Sequence, residues 1–291
     1  MKIASAYNAY LDADALGLCA MANASFYQHY PLKDFYPQNP KPSTSATLIT
    51  TKEQNKKEKS KKYFIFYVGD YDSAAWMYQM IPKLWDHPDR GKIPLAWAFN
   101  PNLTERVPMV MDFIRETKTS NDYFITGDSG AGYVNPGMLC EPRAISHLPS
   151  GIQVWKEQCQ KYYKQWDLSI TGFIIDGYAP GMSKEGLDAY AKFSSDGIVG
   201  FKFPNSALSG IHKGMPYVRM TQDLGGTPEE AAKTIVDQFK KKKIQFAVFR
   251  GVLHTPDWFN RIVEILNTQY ANENIQFLDP YTFFHLAKQS Q

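Results

Sequence analysis

The sequence predicts an α/β fold of the (β/α)-barrel type, TIM-like, with parallel strands. Three observations carry this expectation. Apolar, β-rich runs alternate with helix-length segments from residue 63 onward, which is the pattern of a parallel sheet. About eight such runs occur, enough to close a barrel. No G-x-G-x-x-G or G-x-x-x-x-G-K-S/T loop follows the first strand, as expected of an open nucleotide-binding sheet. With 291 residues, 44% of them hydrophobic, the chain can bury a large core. The expected organisation is one barrel domain over residues 1–291, with a charged surface loop at about 37–62.

The elements follow in order. A first strand is expected near Ala24 to Tyr27. Pro37, Pro40 and Pro42, then the lysine-rich run from Lys52 to Lys62, mark the solvated loop. Tyr63 to Val68 reads as a buried strand, and Ser73 to Leu84 as a helix capped by Asp72 or Ser73. Ile93 to Phe99 is the next strand and Val107 to Thr117 the next helix, with Pro108 suited to its first turn. Tyr123 to Thr126 is a short strand, followed by a Gly-rich loop and a helix around Ile152 to Gln165. Gly172 to Ile175 is a strand and Lys184 to Phe193 its helix; Ile198 to Phe203 and Tyr217 to Met220 are further strands. Thr227 should cap a helix from Pro228 to Lys242, with Glu229 and Glu230 in its first turn. Strands at Gln245 to Arg250 and Asn274 to Leu278 flank a helix from Asp257 to Thr268.

Charge and cysteine usage narrow the function. A balance of 32 basic and 29 acidic residues leaves +3, which does not fit a nucleic-acid binder. No segment is long and apolar enough for a membrane span, and the stretch from Met1 to Asp14 lacks the apolar core of a signal peptide. Cys19, Cys140 and Cys159 are too widely spaced for a C-x-x-C site, and one disulfide stays open. Oligomeric state is not legible. Aromatic residues make up 14% of the chain, a composition compatible with stacking on sugar rings. Trp76 and Trp97 read as core or rim, whereas Trp85, beside Asp86-His87-Pro88, is expected in an exposed loop.

In parallel α/β folds the loops after the strands converge on one face, so polar residues directly after apolar strands are site candidates. Asp70 and Asp72 follow the first such run, then Asn100, Asp128, Asp176, and finally Arg250 and His254. Each aspartate has a capping or turn-forming alternative, clearest for Asp72, which stands where a helix needs a cap. Together, though, these carboxylates suit a glycosidase, in which two carboxyl groups flank the scissile bond. The loop Gly127 to Gly137 carries four glycines around Tyr133. Its glycines allow close backbone approach, while Tyr133 can stack or donate its hydroxyl. No basic residue lies there to suit phosphate. The remaining histidines, His29, His87, His147, His212 and His285, lack metal-site spacing, and no G-x-S-x-G elbow occurs.

Gly130-Ala131-Gly132-Tyr133-Val134-Asn135-Pro136 resembles the motif for which the GxGYxYP family, classed as putative glycoside hydrolases, is named. Val68-Gly69-Asp70-Tyr71-Asp72 is similar to the acidic turn of that family, and Pro88 to Pro94 leading into Trp97 resembles the segment that follows it. The resemblance spans most of residues 20 to 285, with Asn135 standing where the family name has its second Tyr. It implies an α/β barrel of glycoside hydrolase type, often following a separate N-terminal domain in secreted or lipid-anchored proteins that handle polysaccharides. The chain would then be the C-terminal barrel of a longer protein, secreted or periplasmic.

The expected function is hydrolysis of glycosidic bonds in oligo- or polysaccharides, without cofactor or metal. Two of Asp70, Asp72, Asp128 and Asp176 would act as the carboxylate pair, with Asp72 and Asp176 preferred. Asn100, Gly130, Gly132, Tyr133, Arg250 and His254 would bind substrate or tune the carboxylates. Two alternatives stay open: a metal-dependent carbohydrate deacetylase using Asp70, Asp72 and His254, and a glycan-binding barrel without catalysis.

Overall fold

The computed structural model describes residues 1–11, 26, 29–42, 61–143, 145–203 and 207–291. Apart from Phe26, the strand expected near Ala24 to Tyr27 lies outside these residues, as do Cys19 and the run from Lys52 to Ser60.

Side-chain alternation along the strands builds two cores. In β1 (Lys62–Tyr71), Tyr63, Ile65 and Tyr67 belong to the barrel interior, while Phe64, Phe66 and Val68 belong to the layer under the helices. β2 (Leu95–Phe99) turns Ala96 and Ala98 inward and Leu95, Trp97 and Phe99 outward. β3 (Asp122–Ile125) does the same with Tyr123 and Ile125 against Phe124. β4 (Ile170–Thr171), β5 (Gly197–Gly200), β7 (Met215–Leu224) and β8 (Phe246–Val252) complete the wall.

The strands pair in the order β3-β2-β1-β8-β7-β5-β4. A parallel bridge from Thr126 to Thr171 brings the two ends together, giving a nearly closed barrel of parallel strands that follow one another in chain order. Among the described residues seven strands form the ring, where the sequence offered about eight. β9 (Ile275–Phe277) pairs only with the opening residues of β1, Lys62 to Phe64, and lies outside the ring. β6 (Ser209–His212), which the sequence pattern did not reveal, is an antiparallel hairpin arm on β7.

The seam is closed by hydroxyls. Thr126 Oγ1 lies 2.6 Å from the Tyr163 hydroxyl, which lies 2.6 Å from Thr171 Oγ1, itself 2.5 Å from Ser194 Oγ. These groups are buried together and satisfy one another, as desolvated polar atoms must. Beyond the seam, regular pairing is shorter than the expected Gly172 to Ile175 strand. Residues 172–176 form no strand of their own: the Ile174 amide donates to the Val199 carbonyl of β5 at 2.7 Å, and the Ile175 amide to Ser129 Oγ at 2.8 Å.

Local chemistry sets the helices. After α1 (Lys2–Ala6), the helix expected over 73–84 is two: α2 (Ala74–Gln79) and α3 (Ile81–Trp85). Pro82 cannot donate the bond that a continuous helix needs there, so the chain restarts at Met80. Ser73, not Asp72, caps α2, accepting from the Trp76 amide. α3 also carries Trp85 inward, contrary to its expected exposure. It is 1% exposed, packs edge-on against Trp97, and carries the Arg90 guanidinium 4.1 Å above its ring. Arg90 pairs with buried Asp122, which also accepts from the Trp97 indole at 2.8 Å, so the Pro88 to Trp97 segment is a structural clamp.

The outer layer continues through α4 (Pro108–Glu116), α5 (Pro136–Leu139), α6 (Ile152–Gln165), α7 (Lys184–Tyr190), α8 (Pro228–Lys242) and α9 (Pro256–Gln269). Thr227 opens α8 with a full capping box, its side chain accepting from Glu230 while Glu230 reaches back. α10 (Pro280–Gln289) inserts Tyr281, Phe283 and Phe284 into the interior core. Their rings meet Tyr123, Phe246 and the position of Gly197, all at strand beginnings, so α10 plugs the amino end of the barrel. The carboxyl end remains for chemistry.

Candidate active site

β1 delivers two carboxylates to that end. Asp70, near the end of the strand, forms an ion pair with Arg250 across the β1–β8 pair at 3.4 Å. Arg250 also binds Asp223, at the end of β7, at 3.0 Å, and lays its guanidinium 4.9 Å from the Phe173 ring centre. Asp223 was not singled out in the sequence because it lies inside a longer strand than the pattern suggested. Asp72 is buried, and the Tyr133 hydroxyl donates to it. That bond fastens the Gly-rich loop to β1.

The next two strands supply Asn100 and Asp128. Asn100 caps the turn after β2, accepting from the Asn102 amide at 3.2 Å, and its amide nitrogen donates to Asp128 at 2.8 Å. Asp128 and Ser129 take φ of +56° and +71°, a tight left-handed step that turns the chain out of β3. Ser129 then stitches the loop to the 172–176 segment, its amide donating to Phe173 at 2.9 Å.

Two phenols mark the centre of this cluster. Burial raises the Tyr133 phenol far above its ordinary range, and the charges of Asp128, Asp72 and Asp70 raise it further. Tyr67, fully buried on the interior side of β1, is raised first by burial and then by Asp70, Asp128 and Asp72. Both rings thus sense the same three carboxylates. Tyr67 was missed because it sits inside an apolar run. Its parity with Tyr63 and Ile65, pointing inward and nearest the carboxyl end, was the available signal.

Asp176 is held differently. Its oxygens accept from the Phe201 amide at 3.1 Å and the Lys202 amide at 2.9 Å. Burial raises its pKa, against those amides, which lower it. It anchors the loop after β5, and neither central phenol senses its charge among the main influences. His254 lies flat on Trp258, ring centres 3.7 Å apart and 4° from parallel, and burial lowers its pKa. Among the described residues no group of three or more His, Cys, Asp or Glu is arranged to hold a metal ion. Asp70, Asp72 and His254 therefore do not form the ligand set that a metal-dependent deacetylase reading needs.

The loop glycines serve packing. Gly130 (φ +136°) would place a Cβ 2.7 Å from Cys159 Sγ, and Gly132 (φ +132°) one 2.6 Å from the Tyr10 ring. Tyr133 also exchanges backbone bonds with Leu11, both at 3.0 Å, so the N-terminal segment covers the loop. Asn135 is buried, donating to the Ile175 carbonyl at 2.5 Å while its own amide donates to Ser5 at 2.9 Å. A tyrosine ring has no place in those bonds. Cys140 and Cys159 are buried free thiols.

Residues 60–288 match the family model described as the GxGYxYP putative glycoside hydrolase C-terminal domain. The chain belongs to this family. The GxGYxYP barrel is also similar to a solved structure titled as a putative hydrolase from Bacteroides thetaiotaomicron VPI-5482, with a TM-score of 0.72 at 17% identity. The likeness covers 99% of this chain and 54% of that one, so the chain spans about half the length of that protein. At that identity the likeness is one of fold. No curated protein matches the chain. No helix among the described residues is long and apolar enough to cross a membrane.

Proposed function

We propose that this GxGYxYP barrel hydrolyses glycosidic bonds of oligo- or polysaccharides through carboxylates at the carboxyl end of its strands. The observation that carries the reading is the Tyr133–Asp72 bond, with Asp70 and Asp128 within electrostatic reach of the same phenol. Glycosidic cleavage needs two carboxyl groups in different roles: one protonates the leaving oxygen, and the other serves as nucleophile or base.

Asp72, oriented by Tyr133, takes the charged role. Asp70, the most open of the three and paired with Arg250, supplies the second carboxyl group. Asp128 and Asn100 hold the field behind them. This choice differs from the Asp72–Asp176 pair expected from the sequence: Asp176 binds the Phe201 and Lys202 amides after β5, whereas Asp70, Asp72 and Asp128 act on one phenol.

The test is release of reducing ends from a panel of plant, fungal and bacterial glycans by the wild-type chain and by Asp72→Asn. The expected result is turnover of at least one glycan, reduced roughly a thousandfold in the variant. Absence of release from every glycan, or turnover undiminished in the variant, contradicts the reading.

A further inference from the structure

We infer that Phe201 forms a second sugar subsite beside the carboxylates, so that the site takes extended glycan chains in preference to single glycosides. This inference rests on the glycosidase reading and specifies the substrate class. Phe201 stands directly after β5 and is 37% exposed, although a ring of its size is normally covered. It meets Phe173 edge to face, ring centres 5.7 Å apart. Phe173 in turn carries the Arg250 guanidinium at 4.9 Å, and Arg250 reaches Asp70 at 3.4 Å. An unbroken row of contacts therefore runs from the acidic cluster to an exposed aromatic ring.

The ring is held in place before any ligand arrives. Its own amide and that of Lys202 donate to buried Asp176, and the Lys202 ammonium donates to the Ala179 carbonyl of the neighbouring loop. That second loop also carries Tyr178, which is 96% exposed. Aromatic faces fixed beside a polar cleft suit the apolar face of a pyranose, and a pre-ordered ring loses little freedom on binding it. The anchoring gives Asp176 a positioning role in this platform.

The test compares cellohexaose, xylohexaose, mannohexaose and chitohexaose with the 4-nitrophenyl monoglycosides of the same sugars. For the series that is cleaved, Phe201→Ala is expected to raise KM for the hexasaccharide about tenfold and KM for the monoglycoside less than threefold. Phe201→Trp should restore hexasaccharide KM, while Phe113→Ala, an exposed ring on α4 outside the site, should change neither. Equal effects of Phe201→Ala on both substrates, or none on either, would overturn the inference. If the wild-type chain cleaves none of these compounds, the glycosidase reading fails separately. Calorimetric binding of the hexasaccharides then decides: affinity lost in Phe201→Ala supports the subsite, and absence of binding by the wild type overturns it.

Discussion

The Tyr133 hydroxyl donates to Asp72, and through that bond the loop after β3 is tied to the end of β1. Removing the donor leaves the carboxylate less well held in its charged form. Tyr133→Phe is expected to lower kcat about ten- to hundredfold and to move the acidic limb of the pH–rate profile upward. A profile unchanged in position would show that the phenol does not act on Asp72.

Asp176 should matter for stability. Asp176→Ala leaves the Phe201 and Lys202 amides without their acceptor in a buried setting, which costs about 1–3 kcal/mol. Chemical denaturation checks this, with a lowered midpoint expected at unchanged slope.

Gly130 tests whether the Gly-rich loop is a packing device. Alanine there meets Cys159 and Trp155 and must hold φ near +136°, so Gly130→Ala should destabilise the fold by about 2 kcal/mol or more. Gly177, with open space around it, is the control and should tolerate alanine. Thermal unfolding of the pair separates them.

His254 predicts a pH dependence of stability. Its folded pKa is lowered by burial, so below the ordinary histidine range the unfolded chain binds a proton that the folded chain refuses. This contribution is neutral above that range, and stability falls as pH drops through it. Denaturation midpoints taken from pH 7 to pH 5 should fall less in His254→Phe, which keeps the stacking on Trp258, than in the wild type.

Much of this was legible in the sequence, for reasons that particular elements show. β1 announced itself through six consecutive apolar or aromatic residues, and α8 through Thr227, Pro228 and two glutamates at its start. Asp70, Asp72, Asn100 and Asp128 could be singled out as candidates because parallel strands deliver their ends to one face. What stayed hidden depended on partners distant in the chain. Nothing near Asp176 foretold that its carboxylate would bind amides at 201 and 202, and nothing near Trp85 foretold Arg90 and Trp97 around its ring. Tyr67 lay in a strand whose parity can be read only once the interior side is known. The seam from Thr126 to Ser194 joins hydroxyls from four separate segments, a pairing that local pattern does not encode.

Which carboxylates do the chemistry is decided by comparing Asp72→Asn and Asp176→Ala for turnover of the same glycan at a temperature where both are folded. Asp72→Asn is expected to lose roughly a thousandfold in kcat with little loss of stability, whereas Asp176→Ala keeps measurable chemistry on a weakened fold. Full turnover in Asp72→Asn together with a folded but inactive Asp176→Ala would contradict the choice of Asp72.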